Sequence, residues 1–87
     1  KNSTVSRFTV RLHFVEPRAA KPGERVFSVS LEGKPVLQDF DVAREAGGAG
    51  APVLREFKGV EVTGPLDIAL TAKVGKTLLC GVELLLE

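Results

Sequence analysis

Four groups of residues in this 87-residue chain have the types that could do chemistry. The first is the run "AREAGGAGAP", residues 43 to 52, in which Gly47, Gly48 and Gly50 fall within four positions. A phosphate-cradling loop would need a strand before it, Lys-Ser or Lys-Thr within it and a helix after it. Here no such pair follows, and the next segment carries Pro52 and a strand pattern. The glycines therefore read as a conformational requirement where a broad connection bends. The second is His13, the one histidine. Placed on a polar strand face near Arg11 and Glu16, it reads as a surface residue, because no partners are spaced for catalysis or metal binding. The third is Cys80, the one cysteine, which excludes an internal disulfide and a multi-cysteine metal site. It alternates with Leu78, Val82 and Leu84, and that alternation places it in the core as a small hydrophobe. The fourth is the pair Asp39 and Asp41, two residues apart and so on one face of a strand. Paired carboxylates serve glycoside hydrolysis when they flank a cleft, and they can also hold a cation or accept from sugar hydroxyls. On neighbouring positions of one strand they read as a solvated face or a loop cap.

The elements that must position these groups follow a period of two. In "SRFTVRLHFV", Phe8, Val10, Leu12 and Phe14 alternate with Arg7, Thr9, Arg11 and His13, the pattern of a half-buried strand. "RVFSVSLE" repeats it with Phe27, Val29 and Leu31 inward. A two-residue gap at Gly33-Lys34 predicts a tight hairpin into "PVLQDFDV", where Val36, Phe40 and Val42 share a face and Gln38 is the exception. "VAREA" predicts at most one helical turn, ended by Gly47. "VLREFKGVEV" resumes strand character, and Gly59 within it predicts a bulge or break. Thr63-Gly64-Pro65 is a turn, "LDIALTA" a strand with Leu66, Ile68 and Leu70 on one side, and "KVGK" a further turn. Residues 77 to 86 are apolar on both faces except at Thr77 and Glu83, which predicts a strand buried on both sides. The five phenylalanines read as core.

Six strands, no helix longer than a turn and turn signals between strands predict an all-β, antiparallel β-sandwich. In such a sandwich the chain reverses at every connection. The connections at 16–23, 43–51 and 73–76 then share one end and the turns at 33–34 and 63–65 the other. Binding sites are commonly built where long loops cluster.

The bulk numbers bound the function class. Eighty-seven residues support one domain, 1–87, or a portion of one. A net charge of +1 gives no field to draw in nucleic acid or an anionic membrane. The longest apolar run, "TLLCGVELLLE", is about half the length of a membrane span and is interrupted by Glu83. No nucleophile–base pair or metal cluster is spaced for catalysis, so no enzyme activity and no cofactor are expected. The chain lacks methionine and begins close to a strand pattern, as a piece of a longer protein does. Asn2-Ser3-Thr4 matches a glycosylation acceptor and reads as a chance match. Tyrosine and tryptophan, the rings on which sugars usually stack, are absent.

"FTVRLHFVEP", "GERVFSVSLEGKPVLQDFDVAREAGGAGAPVLREF", "GVEV" and "TLLCGVELL", taken jointly, resemble the second half of malectin and malectin-like domains. The resemblance implies a jelly-roll-like sandwich, non-catalytic, that binds carbohydrate as an accessory module of a larger secreted or membrane-anchored protein. It implies an extracellular or periplasmic setting. Animal members hold a glucose-containing oligosaccharide with aromatic rings, which lie upstream of this segment, and an aspartate in the loop before the final strand. In this chain that loop is "AKVGKT", with Lys73 and Lys76 in place of an acid, and Ser28 replaces the aspartate usual in "VFDV". Combined with the shared loop end, the expected sugar rim is Asp41, Arg44, Glu45, Lys73 and Lys76. The alternative is a structural or protein-interaction sandwich that binds no sugar and packs strand 77–86 against a neighbouring domain of its parent.

Overall fold

The computed structural model describes residues 5–16, 21–47 and 50–87. Six strands and one short helix follow in the order β1 (Ser6–Val15), β2 (Val26–Leu31), β3 (Lys34–Phe40), α1 (Val42–Ala46), β4 (Pro52–Val62), β5 (Ile68–Val74) and β6 (Gly81–Leu86). They form two antiparallel three-stranded sheets, ordered β4–β1–β6 and β3–β2–β5. The two strands with the cleanest alternation, β1 and β2, are the central ones. Their inward residues Val10, Leu12, Phe14, Phe27, Val29 and Leu31 are buried, while their outward neighbours are mostly half-buried. The rings of Phe14, Phe27 and Phe40 meet between the sheets at centroid distances of 4.9–5.9 Å in tilted and edge-on pairs. Such pairs add about 0.5–1.5 kcal/mol each beyond the area they bury. Phe8 and Phe57 are half-buried against the same cluster.

Local sequence accounts for the interruptions. Glu32 and Gly33 both have positive φ (52° and 78°) and make the two-residue hairpin turn between β2 and β3. The turn sits one residue earlier than the sequence pattern placed it, and Lys34 opens β3 opposite Leu31. Gly59, at φ 70°, lies in a bulge of β4, where Phe8 pairs with Val60 but Val10 pairs with Phe57. A second bulge in β3 explains the exceptional Gln38. Phe27 pairs with Phe40 while Val29 pairs with Leu37, and Asp39 takes a φ of 51° to absorb the extra residue. The Ser28 hydroxyl accepts from the Asp39 amide. This bulge also separates the two aspartates expected on one face. Asp39 is exposed, whereas Asp41 lies beyond the strand and is 3% exposed. α1 is the expected single turn, capped by Asp41 at its start and by left-handed Gly47 at its end.

Residues 77–86 depart from the expected doubly buried strand in two ways. Residues 76–80 form an irregular connection, so β6 starts only at Gly81. β6 is also an edge strand, and Val82, Leu84, Leu85 and Leu86 are exposed rather than buried on both faces. Cys80, outside the strand, is exposed rather than in the core. Its amide donates to the His13 carbonyl, and its sulfur lies 3.3 Å from the Val15 nitrogen.

The connections sort by end as the reversal rule requires. At one end the Gly23 amide donates to Asp41, and Arg25 donates to the carbonyls of Lys76 and Thr77, which ties the described parts of all three long connections together. At the other end the Glu32 amide donates to the Asp67 carbonyl and the Glu32 carboxylate accepts from the Asp67 amide. Asn2-Ser3-Thr4 lies outside the described residues.

Candidate functional site at the loop end

Two buried acids hold this end together. Glu16, the residue after β1, is 2% exposed and receives both edges of the Arg25 guanidinium, Nε at 2.7 Å and Nη2 at 3.0 Å. The remaining nitrogen, Nη1, reaches Lys76 O at 2.9 Å and Thr77 O at 3.3 Å. The hydrogen bond to Glu16 holds the Arg25 guanidinium further above its already high range, against the opposing effect of burial. One planar fork thus fastens the β5–β6 connection to the end of β1. The second acid is Asp41. One carboxylate oxygen accepts from Gly23 N in the β1–β2 connection, and the other accepts from Arg44 N in the first turn of α1. Among the described residues no buried side-chain nitrogen or oxygen is left without a partner.

The residues expected at the rim fall into two groups on this base. Glu45 accepts from Arg55 Nη2 at 2.6 Å and lies 3.6 Å from Arg44 Nε, while the Arg55 guanidinium stacks 5.4 Å from the Phe40 ring centre. Arg44 itself is exposed. Lys73, at the end of β5, lies 3.4 Å from Asp39 across the outer face of the β3–β2–β5 sheet, both side chains being exposed. Lys76 is exposed in the β5–β6 connection and contributes its carbonyl to Arg25. Asp41 is the one expected rim residue that turns inward, because capping α1 and holding Gly23 consume its carboxylate. The geometry brings Arg44 and Glu45 into contact and pairs Lys73 with Asp39, a residue the expected rim omitted. Arg25, Glu16 and Arg55 were also not singled out. Glu16 and Arg25 carry only the local signal of a charged residue directly after or before a strand, and Arg55 lies within β4.

Other charged residues of the described chain pair across strands. On the outer face of the β4–β1–β6 sheet, Arg7 pairs with Glu61 at 3.1 Å, Arg11 with Glu56 at 2.7 Å and His13 with Glu83 at 2.7 Å. His13 is a surface residue as expected, but its carboxylate is Glu83 on β6, since Glu16 belongs to Arg25. The bond to Glu56 raises the Arg11 guanidinium above its ordinary range. Glu87 accepts from the Gly59 amide at 2.7 Å and the Thr9 hydroxyl at 2.9 Å, and these bonds hold its carboxyl below the usual range. A groove of about 640 Å³ lies away from the loop end, between the edges of β3 and β4, floored by Leu31, Val36, Phe57 and Val60 with Lys34 and Lys58 at its rim. Among the described residues no group of three or more His, Cys, Asp or Glu is placed to hold a metal ion. No helix among them is long and apolar enough to cross a membrane.

The loop end therefore presents exposed donors (Arg44, Lys73, Lys76) and acceptors (Asp39, Glu45) on a buried, ion-paired base. Such a surface can hydrogen-bond a hydroxyl-rich or charged ligand. Comparison with known proteins gives this surface a context. The family model described as the malectin domain matches residues 4–83. One relative, a probable LRR receptor-like serine/threonine-protein kinase of Arabidopsis thaliana, is 34% identical over 79 residues, covering 83% of this chain and 8% of that protein. Another of the same description and organism is 33% identical over 63 residues, 66% of this chain and 6% of that protein. A probable receptor-like protein kinase of Arabidopsis thaliana is 42% identical over 52 residues, 58% of this chain and 6% of that protein. The chain thus spans less than a tenth of the length of these relatives. No solved structure matches.

Proposed function

Because the chain belongs to the malectin domain family, we propose that it is a non-catalytic carbohydrate-binding module of a larger extracellular or periplasmic protein. The observation that carries this reading is the family match across 80 of the 87 residues, counted from 4 to 83 inclusive. The oligosaccharide sits at the loop end. Arg44, Lys73 and Lys76 donate to its hydroxyls, and Glu45 accepts through the oxygens it shares with Arg55. Asp41 acts from below, fixing the direction of α1 and hence of Arg44. Preorganisation of this kind lowers the ordering cost of binding. Stacking rings come from parts of the parent outside these residues, since the five phenylalanines here are buried or half-buried. Affinity of this segment alone is then about millimolar, equivalent to roughly 4 kcal/mol.

The test is an NMR titration of the parent domain with a glucose oligosaccharide, beside an Arg44→Ala/Lys73→Ala/Lys76→Ala variant. A hydrogen bond to a charged group contributes about 1.5–3 kcal/mol, so the variant should lose at least tenfold in affinity while keeping its melting temperature. Unchanged affinity removes the rim.

A second reading, that of an interaction module packed against another part of its parent, is favoured by the exposed apolar residues of β6.

A further inference from the structure

The stretch that carries Lys76 has few ties of its own. β5 ends at Val74 and β6 starts at Gly81, and residues 75–77 between them are exposed. Leu78 and Leu79 are half-buried against the core and anchor the far side of this arc. Among the described residues, Cys80 alone within 76–80 makes a backbone–backbone hydrogen bond, to His13 O at 2.9 Å. Exposed backbone with so few bonds samples many arrangements unless a side chain fixes it.

Arg25 is that side chain. Its Nη1 donates to Lys76 O at 2.9 Å and to Thr77 O at 3.3 Å, two successive carbonyls of the arc. Its Nε and Nη2 are held by Glu16, which is 2% exposed. The guanidinium is a rigid plane, so turning Nη1 away from the arc would take the partner from a buried carboxylate. Glu16 therefore sets the direction in which Arg25 reaches. Gly75 closes the approach. Its φ is +69°, and a Cβ on it would stand 2.6 Å from Glu24 O. The arc thus lies against Glu24 and is hydrogen-bonded by Arg25. The Lys76 ammonium makes no ion pair among the described residues.

We infer that Arg25 is a positioning residue for oligosaccharide binding: held by Glu16, it keeps residues 75–77 in the arrangement that presents Lys76 to the ligand beside Lys73. The inference rests on the sugar reading above and deepens it, because it places a determinant of affinity beneath the contact surface. Arg25 acts through the loop. Four hydrogen bonds to the protein already engage its three nitrogens. A loop that holds its binding arrangement only about a tenth of the time binds about tenfold more weakly than a fixed one.

The test compares the full-length parent protein with its Arg25→Lys variant, using maltotriose as the probe. Lysine keeps a cation against Glu16, so no buried charge is stranded, but one ammonium replaces the fork that reaches the carboxylate and both carbonyls together. The variant should keep the parent's amide shifts at Val10 and Leu12 in the core, lose order at 75–77 and bind about tenfold more weakly. A folded variant that binds as tightly as the parent overturns the inference and leaves the sugar reading standing. A parent that binds no maltotriose removes the sugar reading and the inference with it. Should the variant not fold, backbone NMR relaxation of the unmutated, sugar-free parent decides. The amides of Lys76 and Thr77 should then show order parameters of about 0.85, as rigid backbone does, and values below about 0.6 overturn the inference.

Discussion

Replacing Arg25 with methionine removes the cation from the most buried ion pair of the described chain while keeping much of the side-chain volume. Glu16 is 2% exposed, and its two oxygens are held by Arg25 at 2.7 Å and 3.0 Å. Leaving such a carboxylate buried without its partner costs about 3–5 kcal/mol. The carbonyls of Lys76 and Thr77 also lose a donor, but both residues are exposed and water takes its place at little cost. Against a total stability of roughly 0.05–0.15 kcal/mol per residue, or about 4–13 kcal/mol for 87 residues, this one change removes a large share. At about 4–8 °C per kcal/mol for a domain of this size, the melting temperature should fall by at least about 12 °C. Tryptophan and tyrosine are absent, so urea unfolding is best followed by far-UV circular dichroism. The Glu16→Gln/Arg25→Met double variant should be more stable than Arg25→Met alone, because no buried charge is stranded. A cost below about 1 kcal/mol for Arg25→Met, or strictly additive costs in the double-mutant cycle, would refute the reasoning that this pair fastens the loop end.

Further outcomes follow from the same geometry. Asp41→Ala loses both the α1 cap and the link to Gly23, and should cost about 1–3 kcal/mol by urea unfolding; Asp41→Asn, which retains an acceptor, should cost less. Gly75→Ala places a methyl group 2.6 Å from the Glu24 carbonyl oxygen at a φ of +69°, so it should destabilise by about 1–3 kcal/mol, whereas the same change at Gly64, which has open space and no positive φ, should fall within about 0.5 kcal/mol. For Glu87 the folded carboxyl lies below its ordinary range. Its contribution is therefore fully present above the ordinary carboxylate range and is lost as pH falls through the folded value. Thermal melts of Glu87→Gln should accordingly lie below the parent at neutral pH and converge with it in acid. Phe14→Ala, at the centre of the three-ring cluster, should cost about 3–5 kcal/mol.

The parts of the fold set by local rules were readable from the residues. Alternation in 6–15 identified the inward set of β1, Gly59 marked a bulge, and Gly47 ended a single helical turn. The reversal rule then grouped the long connections at one end, where Arg25 and Asp41 now join them. What was not readable depends on register and on contacts between distant residues. The bulge at Asp39 interrupts the alternation, and Asp41 lies beyond the strand as the cap of α1, so the two aspartates part company and Asp41 goes inward. Cys80 follows the strand alternation on paper, but the strand begins one residue later, and the cysteine falls on the exposed connection. The apolar character of 77–86 was legible, yet its exposure was not, because strand order decides which strands become edges. Glu16 and Arg25 find each other across a connection, and no periodicity announces that. The rim was partly legible: its loop end was, but the pairing of Lys73 with Asp39 and the occupation of Glu45 by Arg55 required the assembled sheets.

The central claim is that the loop end is where an oligosaccharide meets this module. Chemical-shift mapping of the parent protein during titration with a glucose oligosaccharide tests it most directly. Saturable shifts should be confined to the amides of residues 41–47 and 73–77. Saturable shifts confined to residues 31–36 and 56–61, along the β3–β4 groove, or no shifts at any sugar concentration, would contradict it.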